Sequence, residues 1–477
     1  MNQQEFANAI LNNLHHTPTS GQRELSELIA KFIFSRAEPG QRLTFLLRGY
    51  AGTGKTSMIS SLVRSLPMLG KKTVLLAPTG RAAKVLAQYS GKPASTIHRK
   101  IYMHQAHADG RFRITLRQNL HKNTLFIVDE ASMIHGESEK FDVGMFSSRN
   151  LLDDLIEYVY SSNCRLLLAG DTAQLPPVGT VISPALDERL LKVSYPLKIS
   201  AFELTEVVRQ EKESGILFNA TFLRQKLSSN DFQSPYFSLK KFGDIIRISG
   251  HELEDALNQS FYTGGAESTV VITRSNKRAN LFNREVRQRI LFRDGEIAAG
   301  DLLMAVRNNY FWLPPDSKIG FIANGDMMEI QRVNKVREMY GHRFADVSIR
   351  FVDYPDEPHT ELKLLLGALD SDSAALTQEE NRKFFEEVIQ DYESIPSRSE
   401  RLKEVQSNPF YNALQVKFAY ALTCHKTQGG QWEEVFIDQG YLTPERMNRE
   451  YLRWLYTALT RATRRAYLVN FNDDLFG

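Results

Sequence analysis

The chain has 477 residues, 42% hydrophobic and 24% charged, the balance of a soluble globular protein with room for about three domains. Lys plus Arg is 59 and Asp plus Glu is 56, a net charge of +3; this excludes a uniformly basic binder, so any polyanion surface must be a local patch. The two cysteines, Cys164 and Cys424, lie in or beside apolar runs without ligand spacing, which supports buried thiols in a reducing compartment rather than a disulfide framework or a zinc cluster.

The first sixteen residues, MNQQEFANAILNNLHH, lack a basic region followed by an apolar one, and no apolar run reaches membrane-spanning length. A cytoplasmic protein is expected. Leu25, Leu28, Ile29, Phe32 and Ile33 share one helical face. Thr19 or Ser20 can cap that helix. Gln22, in its first turn, is either solvated or placed to read an adenine edge.

Thr44–Leu47 is a short apolar strand, and Met58, Ile59, Leu62, Val63 and Leu66 recur at helical spacing. Between them stands Gly49-Tyr50-Ala51-Gly52-Thr53-Gly54-Lys55-Thr56, a complete G-x-x-x-x-G-K-[ST]. Strand, glycine turn and helix N-terminus make an anion cradle. Lys55 reaches the β- and γ-phosphates of a nucleoside triphosphate there, and the Thr56 hydroxyl ligates Mg²⁺.

A second strand, Lys72–Pro78, ends in Thr79-Gly80 before a helix. This is a further phosphate contact or an ordinary strand–helix turn. Asp109-Gly110 marks a β-hairpin within residues 98–122, where Arg99, Lys100, Arg111, Arg113, Arg117 and Lys122 interleave with Tyr102 and Phe112. That suits phosphate contact and base stacking, against the alternative of a solvated charged hairpin. The apolar strand Thr124–Val128 delivers Asp129 to the Mg²⁺ shell and Glu130 to the attacking water. A loop follows over 135–150, a helix over 151–160, then a strand over 165–169 that leads to Gln174, an amide able to sense the γ-phosphate. Strands alternating with helices indicate a parallel α/β sheet.

A second α/β pattern is expected from about residue 200, with strands at 244–248, 268–273, 413–423, 434–437 and 466–470 and a basic amphipathic helix over 279–290. Residues 295–408 break that rhythm. Short antiparallel strands are expected at 300–306, 324–330 and 345–352, followed by a helix capped by Thr377 and Glu380. That helix is either a brace against the hairpin or a scaffold.

Together Gly49–Ser57, Ala77–Lys84, Ala94–His98, VDEASM (128–133), GDTAQLPPVG (170–179), Leu204–Gln210, TCHKTQGGQW (423–432) and YTALTRA (456–462) resemble the ordered motifs of superfamily 1B helicases, the branch that holds RecD, phage Dda and Pif1. The resemblance implies two RecA-like parallel-sheet domains in tandem. The first is 1–200 with the pin 98–122 inserted. The second is 201–294 with 409–477, interrupted by an SH3-like β-rich module at 295–408. It also implies that Gln22 reads adenine, that Gly49, Ala51, Gly52, Thr53, Gly54 and Ser57 join Lys55 and Thr56 around Mg-ATP, and that Gly429 approaches the nucleotide. Arg209 and Arg461 become arginine fingers, stabilising charge on the transferred phosphoryl. Thr79, His98, Thr423 and His425 match positions that touch single-stranded DNA, and Arg111 and Arg113 lie on the pin. The implied activity is ATP-driven 5′–3′ translocation on single-stranded DNA by a monomer that opens forked duplex, in repair or recombination. A translocase that strips bound proteins and barely unwinds, or an RNA-directed motor, shares the same engine.

Overall fold

In the computed structural model, which describes residues 1–38, 40–106, 112–136, 150–208, 214–232, 235–314, 317, 319–369, 371–373, 375–443 and 447–476, the strand Arg42–Gly49 is buried on both faces. Phe45 and Leu47 pack with Phe6, Leu25, Ile29, Met58 and Leu62, whereas Leu46 packs with Leu76, Phe126, Leu155 and Leu166 on the other side. Period-2 alternation with both faces apolar is what a sheet covered by helices demands. Six strands make this sheet, in the order Ala94–Thr96, Lys72–Ala77, Thr124–Val128, Arg165–Gly170, Arg42–Gly49 and Leu197–Leu204. All its pairs are parallel. The expected helix Leu151–Tyr160 forms at those bounds.

The sixth strand corrects the expected break near residue 200. Leu197–Leu204 pairs with Arg42–Gly49 over its whole length, so the first sheet runs on to Leu204. It is an edge strand whose Lys198 and Glu203 face solvent, so its sequence lacks the apolar run of an inner strand.

A second parallel sheet has the order Ala421–Thr423, Thr269–Thr273, Trp432–Asp438, Ala462–Val469, Ile245–Ile248. The helices Gly215–Ser228, Leu253–Gly264, Asn276–Glu285 and Arg449–Leu459 belong to this lobe. The two parallel α/β sheets carry the expected tandem architecture. The β-rich insertion is a closed barrel of Leu302–Ala305, Met327–Met339, His342–Phe351, Thr360–Leu365 and Leu414–Phe418. Its last strand is a second correction. Residues 413–423, expected as one strand of the parallel sheet, divide into Leu414–Phe418 in the barrel and Ala421–Thr423 in the sheet. No glycine or proline marks the switch at Ala419-Tyr420.

The strands expected at 324–330 and 345–352 are the inner ends of one long hairpin, Met327–Phe351, that turns at Tyr340-Gly341 with both φ positive. Paired positive φ is the turn that matches strand twist. The expected helix is Gln378–Gln390, with Thr377 and Glu380 capping it reciprocally. Its Phe384 and Val388 pack with Phe344 and Val405. Tyr340 and His342 lie on the Phe384 ring. Those contacts make it a scaffold for the hairpin tip. The basic hairpin forms as Tyr102–Ala106 paired with Phe112–Leu116, while its turn and residues 137–149 of the long loop lie outside the described residues. No helix among the described residues is long and apolar enough to cross a membrane.

One carboxylate holds the barrel's entry and exit together. Asp301, fully buried, accepts from Arg287 Nε and Nη2 at 3.0 Å each, from the Ala298 N–H at 2.8 Å and from Tyr420 Oη at 3.1 Å. Removing it leaves the buried Arg287 cation uncompensated, which costs about 3–5 kcal/mol. Asp301→Ala is therefore expected to lower the urea midpoint and to speed amide exchange in the barrel strands; an unchanged midpoint would contradict the anchor.

Candidate functional site at the seam between the two sheets

Gly54 caps the helix Lys55–Ser65 in the left-handed region, φ 81°. A Cβ there would stand 2.4 Å from Gln22 Nε2, and one on Gly49 would stand 2.9 Å from Lys55 Cγ. Glycine is thus required twice, once by φ and once by close approach. Gly52 also has positive φ, and Ala51, Thr53, Thr56 and Ser57 complete the turn into the helix. Lys55 Nζ donates to Tyr50 O at 3.0 Å, and Thr53 Oγ1 to the same oxygen at 2.7 Å. Gln22 does lie against this loop. Its Nε2 donates to Thr53 O at 3.2 Å, and its Oε1 accepts from the Thr19 N–H at 3.1 Å. Its amide is therefore spent on the loop and the helix cap.

Asp129 follows the strand Thr124–Val128 and is buried. Burial, with Glu130 beside it, pushes its carboxyl up to about 6, although the Glu130 N–H and the Lys55 cation pull the other way. Glu130 has φ 52°, a left-handed strain of about 1–2 kcal/mol in a residue other than glycine. Its Oε2, Ser132 Oγ and Gln174 Oε1 are buried without a partner among the described residues. Buried acceptors without donors are costly. A cation and a phosphate-bound water would supply what they lack. The donor set fits Mg²⁺, which takes a hydroxyl and one or two carboxylates alongside substrate phosphates. Thr56 and Asp129 would hold it.

The second lobe reaches this site through Tyr456, on the helix Arg449–Leu459. Tyr456 Oη accepts from the Ala51 N–H at 2.8 Å and donates to Asp171 Oδ2 at 2.6 Å. Arg461 is 4% exposed, and its guanidinium donates to Thr457 O, Gly430 O and Thr460 Oγ1 at 3.1–3.2 Å. All three acceptors belong to its own lobe. Arg209 lies outside the described residues. Gly429, φ 72°, packs on the first lobe, where a Cβ would be 2.9 Å from both Ala82 Cβ and Thr79 Oγ1. The turn expected to approach the nucleotide thus rests on the strand–helix turn at Thr79.

Of the expected strand-contacting residues, Thr79 caps the helix Gly80–Ser90 by accepting from the Ala82 N–H, and Thr423 stands at the N-cap position of the short helix Cys424–Thr427 without a side-chain cap bond. His98 stands 5.7 Å from the Tyr102 ring. Burial lowers the His425 pKa. Arg113 lies on the hairpin strand opposite Gln105, and Arg111 lies outside the described residues.

Sequence reading missed the contact between the barrel and this seam. Asp326 Oδ1 would meet a Cβ on Gly80 at 2.6 Å. Lys84 Nζ donates to Val352 O at 3.1 Å and pairs with Asp353 at 3.4 Å. Arg81 Nη2 donates to Gln431 O at 2.7 Å, its guanidinium 3.9 Å from the Trp432 ring. No local motif announces Asp326 or Asp353. Tyr456, by contrast, lies inside a motif that was read for its arginine.

Residues 33–226 match the AAA domain family, and 418–469 match the UvrD-like helicase C-terminal domain. Over 200 residues the chain is 32% identical to the ATP-dependent RecD2 DNA helicase of Deinococcus radiodurans, covering 42% of this chain and 24% of that one. Over 295 residues it is 25% identical to the ATP-dependent DNA helicase dda of Enterobacteria phage T4, covering 60% of each. The chain thus spans less than two thirds of these two relatives. A Bacteroides Pif1 helicase solved with ADP-AlF3 and ssDNA aligns at 15% identity and TM-score 0.47, over 95% of this chain and 92% of that one.

Asp326 supplies a pH test of the seam. Burial pushes its carboxyl up to about 7, with Asp353 adding to the rise and the Ala323 N–H and Arg99 opposing it. The folded chain then holds a proton that the unfolded chain has lost, so this residue costs stability as pH rises from about 4 to 7. The full cost above that window is on the order of 4 kcal/mol. Asp326→Asn is expected to be more stable than wild type at pH 8 and equal to it near pH 4 in urea titrations. A pH-independent difference would contradict the buried carboxyl.

Proposed function

We propose that this chain, which belongs to the Pif1/RecD-like group of superfamily 1B helicases, hydrolyses ATP to move along single-stranded DNA in the 5′–3′ direction and to open forked duplex, acting as a cytoplasmic monomer. The observation that supports the reading is that Glu130 Oε2 and Gln174 Oε1 are buried without a partner among the described residues, with Glu130 next to the carboxyl of Asp129. A cation and a water bound there would give these oxygens partners.

Lys55 exchanges the Tyr50 carbonyl for a β- or γ-phosphate oxygen. Thr56 and Asp129 would hold Mg²⁺, which would supply charge neutralisation on the phosphates. Glu130 orients the attacking water and takes its proton. Gln174 reads whether the γ-phosphate is present. Arg461 leaves the carbonyls of Gly430 and Thr457 to stabilise the transferred phosphoryl, a role proposed for Arg209 as well. Gln22 and the glycine turn keep the nucleotide registered, with Gly429 closing behind it.

ATP bridging the two lobes favours the closed arrangement, and its loss on hydrolysis favours the open one. Thr79 and His98 grip the strand from the first lobe, Thr423 and His425 from the second. The lobes must differ in their grip between the two states for the cycle to advance. Arg111 and Arg113 on the hairpin meet the duplex at the fork.

Steady-state ATPase with poly-dT, poly-U or no polymer tests this directly. Poly-dT is expected to stimulate turnover at least tenfold. Stimulation by poly-U alone would redirect the motor to RNA, and no stimulation by either would remove the motor. Lys55→Ala is expected to abolish hydrolysis. Arg461→Ala is expected to lose hydrolysis while keeping nucleotide binding, and wild-type turnover from it would refute the cross-lobe role.

A further inference from the structure

We infer that Tyr456 is a positioning residue for ATP hydrolysis, holding the phosphate loop and the Gln174 loop in register with the second lobe through a single hydroxyl. The inference rests on the ATPase reading above and names a residue that reading does not use.

The bonding around that hydroxyl leaves no alternative assignment. A phenol has one proton to give and lone pairs to accept with. The Ala51 N–H can only donate, so Tyr456 Oη accepts there, at 2.8 Å. The proton therefore goes to Asp171 Oδ2, at 2.6 Å. Burial, with Asp171 alongside, keeps the phenol protonated far above neutral pH. The other Asp171 oxygen accepts from the Ala173 N–H at 2.8 Å.

Two residues on, the same loop meets the second lobe again. The Leu175 N–H donates to Thr457 Oγ1 at 2.9 Å, and Leu175 O accepts from Gln428 Nε2 at 2.6 Å. Gln174 stands between these two anchors. Consecutive residues of one helix, Tyr456 and Thr457, thus fix both sides of the amide that senses the γ-phosphate. The same helix leads to Arg461. Lys55 draws on this point too, because its present acceptor, Tyr50 O, precedes Ala51 in the loop. A displacement of the helix Arg449–Leu459 reaches Lys55, Gln174 and Arg461 together. Phenylalanine would fill the space yet leave the Ala51 N–H and an Asp171 oxygen without partners.

Tyr456→Phe separates positioning from binding. Polymer-stimulated kcat is expected to fall about tenfold, with KM for ATP within twofold of wild type. Thr457→Val removes the neighbouring anchor with little change in volume and is expected to give the same split. The double variant should be no worse than the more damaged single, because both act on one loop. A Tyr456→Phe kcat within twofold of wild type would overturn the inference, as would a loss carried mainly by KM. If the wild-type chain fails to hydrolyse ATP, the motor reading falls instead. Amide exchange in the peptide that spans Ala51 then decides, expected at least tenfold faster in Tyr456→Phe, with an unchanged rate overturning the latch.

Discussion

A phosphate site built from backbone N–H groups and cations must satisfy those donors when no phosphate is near. The seam between the two sheets obeys that constraint group by group. Lys55 rests on Tyr50 O, Arg461 on Gly430 and Thr457 O, Arg81 on Gln431 O, and the Ala51 N–H on Tyr456. Backbone carbonyl oxygens stand where anion oxygens are expected to come to Lys55 and Arg461, whereas Tyr456 keeps its bond to the Ala51 N–H. The acceptors are treated oppositely, since Glu130 and Gln174 each keep a buried oxygen without a partner among the described residues.

The strand, glycine turn and helix start around Lys55 were legible in the sequence because they are local. Gly49–Thr56 needs a strand, two particular glycines and a helix start, and all are contiguous. Asp129 and Glu130 follow an unbroken apolar strand. The helix caps at Thr19 and Thr377 were legible for the same reason, each being a matter of three residues. What failed was topology that depends on distant partners. Residues 413–423 form one apolar run, and bonds to distant residues mark where it changes sheets: Tyr420 Oη to Asp301, the Leu302 N–H to Tyr420 Oη, and Asn283 Nδ2 to Phe418 O and Ala421 O. Leu197–Leu204 shows no clean apolar pattern because Lys198, Ser200 and Glu203 face solvent at a sheet edge. The side-chain directions of Gln22 and Arg461 were equally out of reach, since the acceptors that hold them are chosen by tertiary packing.

The barrel gives the seam a second layer of coupling. It enters and leaves the second lobe at Asp301, yet its Asp326, Val352 and Asp353 meet Gly80 and Lys84 of the first lobe. A body anchored on one lobe and touching the other must shift when the lobes move. The groups it touches lie on the helix that Thr79 caps, where a strand of nucleic acid is proposed to run.

The central claim is that the nucleotide moves the lobes. Met68, 58% exposed on the first lobe, and Tyr262, 92% exposed on the second, offer label positions after substitution by cysteine, because Cys164 and Cys424 are buried. The interlobe distance between the labels should change when a non-hydrolysable ATP analogue and single-stranded DNA bind, and should return with ADP. One distance, unchanged across the apo, ATP-analogue and ADP states, would contradict the account.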